Sequence, residues 1–402
     1  MINLKNELAF YHKAIHVCNL ILENGGEVRF IGGIIRDLLL NKEIKDIDLA
    51  TNLLPSHIQK ILIDNKIQYF TIGKEFGTIT AVIDKQPIEI TTLRKDINCY
   101  GRHAEVEFTN DWEEDAKRRD FTVNALSADL DGNIYDYFNG IADIQNKKVR
   151  FIGKAENRIQ EDYLRILRFF RFSSYFSNDL DDEGLICCNK FANKLKNISS
   201  ERIKSELIKI FEAPNGKNTI KHMEQIFQNI YLLNSPVIEQ IDRLYSLINH
   251  FNYQLKYIMC FAVIVCNSND IKNIIKNSAF TRAEQKFLSL ITQNKIKEFD
   301  QGNLEKYWKI YKENFQEIIL INLAISNENL TNNLLTSSLE KLFSQSIKAL
   351  PIKGEDLLKL GIEKGKDIGK LLIVADQIWY NYQFNITKQE LLREILLHAH
   401  KL

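Results

Sequence analysis

Short runs rich in Ile, Val and Thr alternate with helical stretches over the first third of the chain, and then the alternation stops. Val28–Gly33, Asp46–Thr51, Gln68–Gly73, Thr78–Asp84 and Ile88–Arg94 have strand character. The stretches after Gly33 and from Ser56 to Asn65 space their apolar residues as a helix does. Beyond about Phe151 the strand signals end, and amphipathic Leu, Ile and Phe patterns run to Leu402. The pattern predicts an α+β chain, an N-terminal mixed-sheet head followed by all-helical regions. Ala213-Pro214-Asn215-Gly216 breaks one helix, and Asn267–Asp270 and Asp300–Asn303 read as further connections.

Composition narrows this picture. With 402 residues, 45% hydrophobic and 26% charged, the chain can fill several packed cores, and only 5 Pro and 17 Gly leave no room for long linkers. Six scattered cysteines, with no Cys-x-x-Cys pair, make a disulfide framework and a structural zinc site poor expectations, and His398-x-His400 has poor metal geometry. A polar N-terminus and the lack of any run of 18 apolar residues predict a cytoplasmic protein that does not enter a membrane. The net charge of +1 carries no signal for nucleic acid. Between Ile144 and Arg171, however, eight basic residues face three acids, a local site for a polyanion.

Three constellations carry chemistry. In Phe30-Ile31-Gly32-Gly33-Ile34-Ile35-Arg36-Asp37 a strand runs into two glycines at a helix start, where backbone N–H groups can approach phosphate. It is followed by Asp46-Ile47-Asp48-Leu49, whose carboxylates share one face of a strand and can chelate hard cations, while Ile47 and Leu49 point to the core. Two Mg²⁺ ions so held would serve nucleotidyl transfer, although an isolated Asp-x-Asp more often merely begins a surface strand. Lys117-Arg118-Arg119-Asp120-Phe121-Thr122-Val123-Asn124-Ala125 suggests one guanidinium fixed by a carboxylate and another free to bind anionic oxygens; a solvated basic run is the plainer reading. In Glu161-Asp162-Tyr163-Leu164-Arg165-Ile166-Leu167-Arg168 the spacing of Asp162, Arg165 and Arg168 predicts one polar stripe on a helix, a base reader or a simple ion pair. The aromatic series Phe169, Phe170, Phe172, Tyr175 and Phe176 reads as helix-packing core, with one ring left open as a stacking surface for a base.

Taken together, these segments resemble the class II nucleotidyltransferases of the polymerase β superfamily, the bacterial CCA-adding enzyme and poly(A) polymerase family. The likeness covers roughly residues 28–210 and also includes Glu89-Ile90-Thr91-Thr92-Leu93-Arg94 and Ser199-Ser200-Glu201-Arg202-Ile203 with Glu206-Leu207. It implies a nucleotidyltransferase head over residues 1–138, a base-recognising neck over 139–214, a body over 215–300 and a tRNA-binding tail over 301–402. Asp46 and Asp48 match the metal-binding carboxylates, with Glu89 a third catalytic carboxylate, and the implied cofactor is Mg²⁺. Gly33 and Arg36 match the triphosphate site and Arg119 a further nucleotide contact. Asp162 and Arg165 match the pair that reads the Watson–Crick edge of CTP or ATP, with Arg168 and Arg171 beside them.

The implied activity is template-independent addition of CCA to the 3′ end of tRNA. The alternatives are a poly(A) polymerase, a CC- or A-adding member of the same family, or a catalytically silent RNA-binding protein. Two segments favour the first. The polar stretch 95–107 lacks strand periodicity and corresponds to the family's flexible loop, which helps switch the pocket from C to A, and Tyr69–Thr78 resembles the tRNA-directed branch. Near the C-terminus Pro351–Leu372 resembles a tail segment, its glycines between lysines suggesting a turn between two helices, either able to touch an RNA backbone or a helix-capping turn with no ligand.

Overall fold

The computed structural model describes the chain except residues 1, 72, 74–75, 101–102, 178, 232–236, 294–295, 297–306, 308–310, 312–313, 327–336, 338, 341–342, 344–349, 363–365, 383–384 and 400–402. The candidate connection at 300–303 and His400 therefore lie outside the described residues, as does part of the segment 69–78. The chain forms two compact units, Met1–Ile230 and Tyr231–Leu402. Among the described residues, no helix is long and apolar enough to cross a membrane.

The first unit opens with α1 (Lys5–Leu8) and α2 (His12–Glu23) and is built on β1 (Val28–Ile31), β2 (Asp48–Thr51), β3 (Gln68–Phe70), β4 (Thr78–Ile83) and β5 (Gln86–Thr92). These strands, with the two-residue strands β8 (Ser127–Ala128) and β9 (Ile134–Tyr135), form one sheet in the order β3-β4-β5-β2-β1-β8-β9. Only β2 and β5 pair in parallel, so the sheet is mixed as expected. Period-two alternation sorts its residues: Leu49, Ile79, Ile88 and Ile90 are fully buried, while Glu89 between the last two is exposed. The buried face is covered by α2 and α4 (Pro55–Asp64), through Val17, Cys18 and Ile21 on one and Ile58, Ile61 and Leu62 on the other.

Residues 94–108 differ from the loop expected there. They form a β-hairpin of β6 (Arg94–Tyr100) and β7 (His103–Phe108), a separate two-stranded sheet with a register shift between Asp96 and Asn98. The first arm opens on the charged run Arg94-Lys95-Asp96 and hides its strand character, although the second alternates Ala104, Val106 and Phe108 with Glu105 and Glu107; Lys95 pairs with Glu107 across the strands at 2.9 Å.

After α5 (Trp112–Lys117) and α6 (Gly140–Gln145) the unit continues as helices: α7 (Ala155–Glu161), α8 (Leu164–Phe176), α9 (Asp182–Lys190), α10 (Ser200–Phe211) and α11 (Gly216–Ile220). Ala213–Asn215 separates α10 from α11, and both pack on α8. Helix α12 (Glu224–Tyr231) ends at the boundary with the second unit, which contains α13 (Val237–His250), α14 (Tyr257–Cys266), α15 (Ile271–Asn277), α16 (Arg282–Gln293), α17 (Phe315–Ser326), α18 (Gly354–Lys359), α19 (Lys366–Asn381) and α20 (Lys388–Ala399). Helices α14 and α17 are apolar almost all round and form its centre; Met259–Val265 and Phe315–Ala324 are buried throughout. The expected turn after Lys359 holds Gly361 at φ +84°.

Candidate active site

The site starts where β1 runs into α3 (Gly33–Leu39). Gly32 sits at φ +66°, where a side chain is strained, and an added Cβ would come within 3.0 Å of Arg119 Nη1. Its N–H donates to the Leu126 carbonyl at 2.8 Å, tying the turn to the segment that follows Arg119. One turn into α3, Arg36 donates bidentately to Asp37, both contacts at 2.8 Å, and its Nη1 donates to Asn124 Oδ1 at 2.6 Å.

Asn124 closes a single 3₁₀ turn, Thr122–Asn124, and its amide reaches the buried Asp120 at 3.0 Å. Asp120 also accepts from Phe121 N–H at 2.9 Å and from Arg168 Nε at 2.6 Å. Burial pushes its carboxyl up, but Arg168 and the bond from Asn124 prevail and hold it down at about 2. Asp120 thus joins the sheet region to α8 and is not the partner of the arginines that precede it.

Those arginines share another acid. Arg118 Nε and Nη2 donate to Asp115 Oδ1 at 2.9 and 2.8 Å, and Arg119 Nη2 reaches Oδ2 at 3.2 Å. One buried carboxylate therefore serves two guanidinia, and a third, Arg94, lies close enough that burial, then Arg118, lowers it to about 10. Helix α5, which carries Asp115, is fastened to the sheet by Arg29, whose guanidinium carbon lies 4.0 Å from the Trp112 ring and 3.6 Å from the Tyr135 ring.

Asp48 begins β2, whereas Asp46 lies two residues before it, outside the strand expected to carry both, with Ile47 and Leu49 buried. Register places Asp48 directly beside Glu89 on β5. Neither Asp46 nor Asp48 has a hydrogen bond or ion pair among the described residues, unlike Asp37, Asp120, Glu161 and Asp162. Burial, then the neighbouring Glu89, and further Asp46, push the Asp48 carboxyl up to about 6 against the pull of Arg119 and Arg36.

Asp162 stands off the helix expected to carry it. It follows α7 in an extended conformation, φ −151°, and its Oδ1 accepts from Leu164 N–H at 3.0 Å at the start of α8. The side chain itself breaks the helix, as an Asp does when it offers the backbone a competing acceptor. Its ion partner is Arg202 on α10, at 2.7 Å, so the expected pair with Arg165 does not form. Arg165 instead donates to Glu161 and to the Arg158 and Arg118 carbonyls. Arg171 donates to the buried Glu206 at 3.2 Å.

These groups line one cleft of about 1040 Å³, with eleven basic and eight acidic side chains on its wall. Gly33, Arg36, Asp46, Asp48, Arg119, Asp162, Arg165, Arg168 and Arg171 all reach it; of the candidate catalytic and nucleotide-binding residues Glu89 alone does not, lying next to Asp48 instead. Of the aromatic series, Phe169 and Phe170 are core, whereas Phe172, Tyr175 and Phe176 face the cleft. Asp115, Asn124 and Arg202 were not singled out as site residues; the last two lie inside recognised segments, which was the only signal for them.

Residues 28–150 match the model of the Poly A polymerase head domain, and residues 180–226 match that of a probable RNA and SrmB-binding site of polymerase A. The chain is 32% identical over 405 residues to the mitochondrial CCA tRNA nucleotidyltransferase 1 of Danio rerio, covering 96% of this chain and 91% of that protein. The chain belongs to the CCA-adding enzyme and poly(A) polymerase family. A CCA-adding enzyme of Lactobacillus johnsonii is likewise 32% identical, over 89% of this chain and 90% of that one. The fold of this family member is similar to that of the Bacillus stearothermophilus CCA-adding enzyme crystallised with CTP, with a TM-score of 0.66 at 24% identity over 97% of this chain and 98% of that one.

The cleft fits the divalent metal that family chemistry calls for. Among the described residues no group of three or more His, Cys, Asp or Glu could hold an ion alone. Two unpartnered carboxylates, Asp46 and Asp48, are, however, the usual protein share of a Mg²⁺ site, the remaining ligands being water and substrate phosphate oxygens.

Proposed function

We propose that this protein adds C, C and A in turn to the 3′ end of tRNA from CTP and ATP without a nucleic-acid template, the primer hydroxyl attacking the α-phosphorus and pyrophosphate leaving. The observation that carries the reading is one cleft in which two unpaired carboxylates face arginines drawn from both the sheet and the helices of the first unit. Residues 1–138 serve as head, 139–214 as neck, 215–300 as body and 301–402 as tRNA-binding tail.

Asp46 and Asp48 would hold Mg²⁺, which when bound activates the attacking hydroxyl and neutralises charge on the reacting phosphate. Gly33 and Arg36 bind the triphosphate at the start of α3, and Arg119 adds a guanidinium above Gly32. Glu89, in register with Asp48, would serve as the third catalytic carboxylate. Arg168 and Arg171 extend the nucleotide site along α8.

Base choice rests on Asp162 and Arg165. After its three bonds Arg165 keeps one Nη2 proton and the Nε–H, and each Asp162 oxygen keeps a lone pair. An acceptor beside donors suits cytosine and adenine, which both present an amino group next to a bare ring nitrogen; uracil and guanine present a carbonyl next to a ring N–H and are rejected. Asp162→Ala is therefore expected to relax selection among the four nucleotides by roughly tenfold or more, at least as much as it slows turnover. Arg202→Ala should act in the same direction through the loosened carboxylate. Misincorporation assays with each nucleotide alone check this, and slowing with discrimination unchanged would make Asp162 a structural partner of Arg202.

The deciding experiment incubates pure protein and Mg²⁺ with transcripts lacking CCA, transcripts ending in CC and an unstructured oligonucleotide, with CTP and ATP singly and together. Addition that stops after CCA supports the reading, long A tails a poly(A) polymerase, and no extension a silent RNA-binding protein. The β6–β7 hairpin gives a finer test, because Arg94 and Asp96 at its base line the cleft but lie apart from the carboxylate pair in sequence. Replacing Asp96–Glu105 by a short Gly/Ser segment should leave C addition nearly intact and lower addition of the terminal A by roughly 100-fold, the scale of a misplaced substrate. Equal loss of both would reduce the hairpin to a support of the head.

A further inference from the structure

Three guanidinia converge on one aromatic ring in the cleft. The Phe172 centroid lies 5.1 Å from the guanidinium carbon of Arg36, 5.3 Å from that of Arg168 and 4.3 Å from that of Arg171. Each arginine is anchored by its own carboxylate on a different element: Asp37 on α3, Asp120 after α5 and Glu206 on α10. These ion pairs fix one side of each guanidinium and leave like charges facing one another. Crowding registers in Arg171, which burial, and then the charges of Arg168 and Arg36 against the support of Glu206, hold below its ordinary value. The ring itself is braced edge-on by the buried Phe121, with centroids 5.5 Å apart.

We propose that Phe172 is a positioning residue whose ring gathers Arg36, Arg168 and Arg171 into a single binding site for the phosphate chain of the nucleotide. The inference rests on the reading of the cleft as a nucleotide site and gives the ring a role that no ion pair supplies. The negative face of the ring attracts cations that would otherwise repel one another and spread, so the three side chains are ordered before an anion arrives. Because all nucleotides share the phosphate chain, the ring acts on CTP and ATP alike; a ring that stacked on the base would treat them differently.

The test places phenylalanines carrying one, two, three and five fluorines at position 172 of the full chain, draining the ring's negative face at nearly constant shape. Affinity for inorganic tripolyphosphate, measured by calorimetry, should fall steadily by about tenfold across the series, equivalent to about 1.4 kcal/mol. KM for CTP and ATP should rise in parallel, with kcat at saturation within about twofold, since the cation–π attraction acts on binding. Phe172→Leu should match the most fluorinated variant and Phe172→Trp should retain affinity, with thermal melts confirming that each is folded. A flat series, a fall in kcat at constant affinity, or unequal effects on CTP and ATP would overturn the proposal. Failure of the unsubstituted protein to extend any primer would count against the nucleotide-addition reading, while the tripolyphosphate series would still decide the role of the ring.

Discussion

Asp46→Ala or Asp48→Ala is expected to lower addition of both C and A by roughly 10³-fold or more, because each removes a metal ligand that supplies several kcal/mol of charge stabilisation in the transition state. Binding of tRNA should be nearly unaffected, since these carboxylates repel rather than hold a phosphate backbone. The expectation is sharpened by their surroundings. Asp37, Asp120, Glu161 and Asp162 each form an ion pair with an arginine, so their loss disturbs the protein first; Asp46 and Asp48 form none among the described residues. Removing Asp48 should even relieve its repulsion with Glu89, and thermal stability should stay level or rise slightly. Single-turnover extension of transcripts lacking CCA, with filter binding and melting curves alongside, separates chemistry from binding and folding. Turnover near that of the unaltered chain in Mg²⁺ would remove the proposed metal site.

What the sequence disclosed follows from what local patterns can encode. The strands that carry Asp48 and Glu89 were legible because one face of each is buried, so Leu49, Ile88 and Ile90 alternate with polar residues. The β6–β7 hairpin was not, because the charged run Arg94-Lys95-Asp96 and the polar residues around Gly101 mask it, although Ala104, Val106 and Phe108 alternate with Glu105 and Glu107 on β7. A helix running through Glu161-Asp162-Tyr163 was the natural reading in a segment with neither Pro nor Gly, yet Asp162 ends it by accepting from Leu164 N–H. An Asp at the start of an apolar run is a capping signal and could have warned of the break.

The pairings of the cleft were out of reach for a different reason. Sequence spacing suggested Asp162 with Arg165, three residues on. In the fold Asp162 meets Arg202, Arg36 meets Asn124 and Arg168 meets Asp120, all joined across distant elements. The right residue types were identified while the partners were not, because an arginine takes whichever carboxylate the tertiary packing brings within about 3 Å in a geometry it can grip. The outcome is a site in which each lining arginine is tied at one side by an acid. That restraint lets so many like charges line one cleft and still leaves donors facing into it.

Asp120 is where this restraint is concentrated, and its replacement should show it. Asp120→Ala leaves Arg168 without its ion partner, Asn124 without the acceptor for its amide and the Phe121 N–H without the side-chain oxygen it donates to. Loss of one partner from a buried pair of this kind costs about 3–5 kcal/mol. In a unit the size of Met1–Ile230 that corresponds to a melting temperature lower by roughly 10 °C. The pH dependence gives an independent check. The folded carboxyl is held at about 2, below its ordinary 3.8, so its contribution is complete above pH 3.8 and is lost as the pH falls through about 2. Integrated over that shift, the contribution is about 2 kcal/mol. Urea unfolding between pH 5 and pH 2 should therefore show a steeper loss of stability in the unaltered chain than in Asp120→Asn, which keeps an acceptor for Asn124 but cannot titrate. Parallel curves for the two would show that Asp120 is not the acid that binds α8 to the sheet region, and would leave Arg168 to be positioned from α8 alone.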